Sequence, residues 1–446
     1  MSSESRYAVR VLPSETYLWY VVLFLTCASI LAYIDRQILA LMIGPVKRDL
    51  GISDTQIGLL VGLAFSLFYC AVTVPIAWLA DVRSRRAVIG VGILSWSVLT
   101  GLSGLAQNYT QLFLARMGVG LGEATLGPAA YSMLADYFPR ERLPLAVAVF
   151  ATAPFIGIGL ANMLGGGLIE LLETLPPVDL PGVGAVRSWQ VTFFVVGAPG
   201  VLLALLTFSI REPERRGSRR AGGARVAPWA EVFGFMRQNA RVFALHFVGF
   251  LFLAMQGWTI FAWLIEFFVR VHGMSRGSIG FMYGAIALCA GMTGSIAAGQ
   301  IATGLLRRGK TDGTLRLTVA AACVMAPLAV AMPLMPQASV AIMLLIPLTF
   351  FMAWPPGLGV SALQAITPNE LRGRVIAFYL LFVNFLSFTL GPFLVGFLND
   401  SVFGSEAAIG LTLSTLAAIS YPLAVLTLIA CLSSFRAAVV RARGWE

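Results

Sequence analysis

Four ionisable residues stand where the chain is otherwise apolar. Asp35 and Arg36 are neighbours in the run from Tyr17 to Ile43, and Arg116 and Glu123 lie seven apart in RMGVGLGEA. An ionised Asp or Arg at the centre of a membrane helix costs roughly 2.5 to 3.5 kcal/mol, so each needs a partner or a task. Seven residues is close to two helical turns, which puts Arg116 and Glu123 on one face with Gly120 between them. The small Gly118, Gly120 and Gly122 let another helix approach. At about 1.5 Å per residue, Asp35 lies about 12 Å from the outer end of its run, Arg116 roughly 9 Å and Glu123 roughly 19 Å from the end of theirs. Helical neighbours diverge by about 100°, so Asp35 and Arg36 face different partners. Asp35 is expected to pair with Arg116 when ionised, and Arg36 to hold Glu123 or an anionic headgroup. A static ion-pair cluster and a proton-coupling site both fit this pattern. Intramembrane charges usually line a pathway, which supports the second: Asp35 and Glu123 as proton-coupling carboxylates, Arg36 and Arg116 as headgroup or ion-pair cations.

The elements that position these groups are membrane helices. Across 446 residues, 58% are hydrophobic and 12% charged, and the mean hydropathy is +0.84, far from the soluble norm. Twelve apolar runs are long enough to cross the hydrocarbon: 17–43, 55–80, 87–107, 110–136, 143–171, 189–210, 242–268, 277–305, 315–334, 338–366, 375–398 and 407–435. They are continuous and not alternating, which excludes a barrel. The first run follows Arg6 and Arg10 as a signal peptide would, but its length predicts a retained span. With both termini inside, 24 Lys and Arg flank the cytoplasmic ends and five flank the outer ends, the asymmetry expected of a cytoplasmic amino terminus in a bacterial inner membrane. A net charge of +10 dispersed in short clusters does not predict a nucleic-acid partner.

Organisation follows from one long polar segment and a repeat. Residues 1–210 and 242–446 each hold six spans, separated by the arginine-rich segment 211–241, read as a linker with a surface helix that can meet membrane lipids. PRER at Pro139 and PNEL at Pro368 begin matching stretches: Glu141 and Glu370, Ala148 and Ala377, Gly167 and Gly396 keep the same spacing. Parallel six-span halves predict an all-α, two-bundle transporter that rocks about a midplane site. Pro154 with its neighbouring glycines, and Pro355 with Pro356, are hinge candidates.

The halves differ in chemistry. All four buried charges belong to the first, whereas the second offers Trp258, Trp263, Phe281, Met282, Phe351, Trp354, Phe382 and Phe385 as apolar cavity candidates. A headgroup against the first bundle and an acyl chain against the second would suit an amphipath. The five cysteines and two histidines form no metal or disulfide pattern. GVGLGEA lies inside a span and is no nucleotide fingerprint, and GxxxxGK[ST] is absent. No cofactor is expected. Neither His246 nor His272 is at the depth of Asp35 and Glu123, which weighs against an intramembrane lipid-processing enzyme.

Taken together these features resemble the major facilitator superfamily. AWLADVRSRRAVI, residues 77 to 89, is similar to its signature between the second and third spans, with Asp81 and Arg85 in matching positions and Arg86 beside them; Ala77 and Ser84 replace usual glycines. In that family the loop holds a cytoplasmic gate. More narrowly, YIDR, the fourth-span stretch from Arg116 to Phe150 and SWQVTFFVVGAPG resemble the spinster branch of lipid transporters. Organic anion transporters of the same superfamily share Tyr-x-Asp-Arg and Arg-x-x-x-Gly-x-x-Glu-Ala. The resemblance implies proton-driven transport of a lysophospholipid-like or sphingoid-phosphate-like substrate by a monomer, with Asp35, Arg116 and Glu123 at the polar site. Transport of small organic anions and multidrug efflux are the alternatives.

Overall fold

A computed structural model describes residues 14–442 except 140–141, 175, 177, 181–183 and 215–227; the side chains of Asp81, Val178 and Leu180 are also outside the described set. Eleven helices or helix pairs among these residues are long and apolar enough to span a membrane, from Glu15–Leu41 to Glu406–Ala442. The fourth span is the twelfth. It is broken into Tyr109–Glu123 and Leu126–Tyr137, each too short to cross alone. Helices outrun their apolar cores, as in Ala240–His272, which ends where Gly273 turns left-handed at φ 64°. Hydropathy marks the hydrocarbon, whereas the backbone ladder continues to the first residue that can end it.

Polar caps fix the starts. Ser53 and Gln56 form a capping box before Asp54–Val61, Ser84 caps Arg85–Ser103, and Asn108 accepts the Gln111 amide at 3.0 Å, capping Tyr109–Glu123.

The repeat reaches the backbone. The fourth span breaks after Glu123 and resumes at Leu126; the tenth, Ala338–Met352, breaks and resumes at Pro355, with helix starts and break offset by 229 residues. The fifth span breaks near Pro154, between Leu143–Phe150 and Ala153–Thr174. The linker sequence before Pro228 lies largely outside the described residues, but helix Trp229–Gln238 follows it, with Phe233 packed edge-on against Phe378 of the eleventh span at 5.4 Å.

We call the membrane face where the described chain begins and ends the terminal face, and the other the far face. Toward the far face the bundles meet backbone to backbone. A Cβ on Gly58 would lie 2.4 Å from the Pro392 carbonyl, and one on Gly396 2.1 Å from that of Asp54, locking span two to span eleven. Gly166 and Gly280 bring spans five and eight equally close. On the terminal face the ion pairs Glu15–Arg142, Arg85–Asp136 and Asp312–Arg436 each stay within one bundle. Between the bundles lies a cavity of about 490 Å³.

Candidate functional site

The buried charges meet as the helical spacing requires, with different pairing. Arg36 donates from Nε to Glu123 at 2.6 Å, both side chains buried. Arg116, 1% exposed, reaches the main-chain carbonyl of Asp35 at 3.3 Å. The expected Asp35–Arg116 carboxylate pair is absent from this conformation: among the described residues Asp35 makes no ion pair, and its Oδ1, like Arg116 Nε and Glu123 Oε1, has no hydrogen-bond partner. Arg36 is the Glu123 partner because it leaves the first span toward spans two and four, whereas Asp35 turns away from it. Glycine packing makes this possible. A Cβ on Gly120 would lie 2.3 Å from the Phe65 carbonyl, and one on Gly122 2.8 Å from the Trp96 amide, so the fourth span closes on the second and third as its small residues predict.

Three rings surround the Arg36 guanidinium, with centroids at 4.8 Å for Tyr33 and 4.7 Å for both Phe65 and Tyr69. Cation–π attraction supplements the single carboxylate bond in holding a buried cation. This box went unread in sequence, although its signal is there: Tyr33 precedes Arg36 by one turn, and Phe65 and Tyr69 share a face of span two. Tyr33 also lines the cavity, so one ring separates the ion pair from the space between the bundles. Beside it, Gln37 donates to Asn162 at 3.2 Å and, across the bundle boundary, to the Phe261 carbonyl at 3.3 Å.

The cavity's second-bundle wall includes Phe250, Trp258, Phe261, Met352, Tyr379 and, near the tenth-span break, Pro356; Pro154, near the fifth-span break, lines it from the first bundle. Of the eight apolar candidates only Trp258 lines it. Trp263 is buried and donates to the Pro392 carbonyl at 3.0 Å. Phe281 and Met282 are 57% and 41% exposed on the outside of the bundle. Phe351 packs on Trp354 at 4.9 Å, Phe382 on Phe247 at 5.9 Å, and Phe385 is half-buried away from the lining. Composition identifies apolar helices but not which stripe faces lipid, helix or cavity, and here the neighbour Met352 is the lining residue where Phe351 is not.

The gating-loop residues act inside the first bundle. Arg85, 1% exposed, binds Asp136, the Glu212 carboxylate at 2.9 Å and the Pro213 carbonyl at 2.9 Å. Arg86 donates its amide to Glu212 at 2.9 Å and its guanidinium to the Ile210 carbonyl at 3.1 Å. Glu212 also accepts from Ser84 at 2.7 Å, capping the third span with an anion. Burial opposes the Glu212 carboxylate, but the Arg86 amide, Ser84 and Arg85 outweigh it and hold this group below its ordinary value. A depressed carboxyl contributes stability above its ordinary range that is lost as pH falls through the folded value. Wild type is therefore expected to lose melting temperature on acidification from about pH 5 to pH 3 more steeply than Glu212→Gln, which starts lower at neutral pH. Parallel melting curves from both proteins would contradict this.

Two helix bundles around a central cavity, with a buried charge cluster in the first, are the architecture of a membrane transporter. Residues 25–392 match the Major Facilitator Superfamily model, and the chain belongs to that superfamily; it is a transporter and not an enzyme. It is 29% identical to an MFS-type efflux pump of Mycolicibacterium smegmatis over 86% of this chain and 85% of that one. It is 24% identical to a probable L-galactonate transporter of Escherichia coli, covering 87% and 84%. Crystal structures of a bacterial homolog to the human lysosomal transporter spinster superpose with TM-scores of 0.77 (inward-facing, unoccupied) and 0.76 (inward-facing, occupied). Each covers 97% of this chain and 98% of the other, at 24% and 25% identity.

Proposed function

We propose that the protein is a proton-coupled, alternating-access transporter of an amphipathic anion of the lysophospholipid or sphingoid-phosphate kind. The observation that carries this is the asymmetry of repeat-related positions. Arg116 and Glu123 of the fourth span correspond, 229 residues on, to Leu345 and Met352 of the tenth. A cation and an anion in the first bundle thus correspond to two apolar side chains in the second; Met352 is in the cavity wall, whereas Leu345, Arg116 and Glu123 are buried outside the lining, the two charges on the Tyr33 side. That arrangement suits a ligand with a charged end and an oily end.

In this reading Asp35 carries the proton. A buried carboxylate with no cation in contact is costly as an anion, so this conformation, with the bundles joined at the far face, corresponds to protonated Asp35, with Arg116 resting on a main-chain carbonyl. Loss of the proton draws Arg116 to Asp35. A headgroup anion competes for the same guanidinium, so proton and substrate bias one two-state equilibrium, for which a few kcal/mol suffices. Arg36, boxed by aromatic rings and bound to Glu123, holds the opposite charge in register. The proton gradient supplies the energy. The terminal face is cytoplasmic by the distribution of cations, and the protein acts as a monomer.

The second reading, a small organic anion, is favoured by the Arg116 guanidinium, which makes no ion pair among the described residues, and by the galactonate transporter's likeness. Counterflow in proteoliposomes decides. Preloaded lysophospholipid or sphingosine phosphate is expected to drive uptake of its labelled form, and galactonate is not; exchange of galactonate alone would overturn the lipid reading.

A further inference from the structure

Three of the five cations that flank the spans at the far face belong to one bonded cluster across the bundle boundary. At its centre Asp54, fully buried at the start of the second span, accepts from Lys47 at 2.6 Å. It also accepts from both terminal nitrogens of Arg270 at 2.6 and 3.0 Å, and from Asn399 at 3.0 Å. Only Lys47 is of its own bundle. Arg270 binds Glu266 at 2.8 Å, Glu266 binds Arg276 at 3.1 Å, and Lys47 reaches Glu406 at 2.7 Å. A second tie runs the other way: Asp400 of the eleventh span accepts the Asp54 amide at 3.3 Å and the Thr55 amide and hydroxyl at 2.7 and 2.6 Å. A carboxylate of one bundle thus caps a helix of the other, satisfying amides that a helix start leaves orphaned.

These bonds exist only while the bundles meet at this face. Separating them there must pull Arg270, Asn399 and Asp400 from their partners together and leave the Asp54 carboxylate with Lys47 and water in place of a two-pronged arginine contact, a loss of several charge-assisted hydrogen bonds at once. The terminal-face pairs named above lie inside single bundles and survive separation at that face. We propose that the Asp54-centred cluster is a latch that sets the protein's resting preference for the conformation closed at the far face, separately from the coupling cluster. Lys47 stands on Ile43–Leu50, which follows the first span after Met42 alone. Displacement of the helix that carries Asp35 and Arg36 is thereby passed to the latch.

Spin labels at Arg48→Cys and Val402→Cys, both exposed on the far face, read its opening in lipid nanodiscs without substrate or gradient. In a background without the five native cysteines, the latch predicts one short distance. Asp54→Asn and Arg270→Gln are each expected to raise the ratio of long to short distance at least about tenfold, and Asp400→Ala to raise it in the same direction. Because Asp54 and Arg270 act through one contact, the double variant is expected to shift the ratio no further than the larger single change. Glu15→Gln, which cuts an exposed pair inside the first bundle, should leave it unchanged. An unchanged ratio in Asp54→Asn and Asp400→Ala overturns the latch. If Asp54→Asn does not fold, Asp400→Ala and Glu266→Gln decide by the same criterion. The readout needs neither a proton gradient nor an added transport substrate, so failure of the transport reading would not imitate failure here.

Discussion

Asp35→Asn is expected to abolish uphill accumulation driven by a pH gradient, lowering it roughly 10- to 100-fold, while substrate counterflow without a gradient persists. Asparagine keeps the shape and cannot gain or lose the proton, so Arg116 remains on the Asp35 carbonyl, where it lies 3.3 Å away. The binding equilibrium survives and its coupling does not. Glu123→Gln is expected to behave differently. It removes the carboxylate that holds Arg36 at 2.6 Å and leaves a buried guanidinium with rings alone, so counterflow should weaken along with driven uptake. Measuring both modes in one proteoliposome preparation separates the two. Wild-type uphill transport by Asp35→Asn would remove Asp35 from the coupling role.

The sequence reveals the architecture more fully than the site because membrane constraints act locally. Twelve runs, a central polar segment and the offset between Pro139 and Pro368 are properties of contiguous residues, and the bilayer forbids most alternatives. The face shared by Arg116 and Glu123 is equally local, as is the use of Gly120 for close packing. Which anion meets which cation is not local. Asp35 and Arg36 differ by one position, and their partners depend on the rotation of the first span against the second and fourth, fixed by Phe65, Tyr69 and the glycine contacts. The apolar wall fails for the same reason: an all-round apolar helix such as Ala338–Met352 carries no period that distinguishes cavity from lipid. Lys47, Arg270 and Arg276 read as residual outer charge because the contact that joins them into one cluster, Arg270 to Asp54, spans 216 residues, although Glu266 lies four before Arg270 and Asp54 seven after Lys47.

The unequal walls of the cavity lead to the other large expected effect. Arg116→Ala removes a charged donor to the substrate's headgroup, worth about 1.5 to 3 kcal/mol, or roughly 10- to 100-fold in binding. Since the headgroup is common to a lysolipid series, the loss should not depend on acyl length. Met352→Gln acts at the opposite wall. It keeps a similar length but places an amide where the chain would lie, at about 1 to 3 kcal/mol when the group loses water without gaining a partner. That penalty applies only to ligands whose chain reaches the tenth span. Competition of short- and long-chain lysophospholipids for counterflow should therefore show parallel curves against chain length for wild type and Arg116→Ala, but a curve for Met352→Gln that falls away as the chain grows. Trp258→Gln, on the seventh-span side of the same wall, is expected to share that slope, whereas Phe281→Gln, on the outside of the bundle, should not. If Met352→Gln and Arg116→Ala instead weaken a chainless sugar acid equally, with no dependence on chain length, the second wall holds no chain, and the cavity is that of a small-anion carrier.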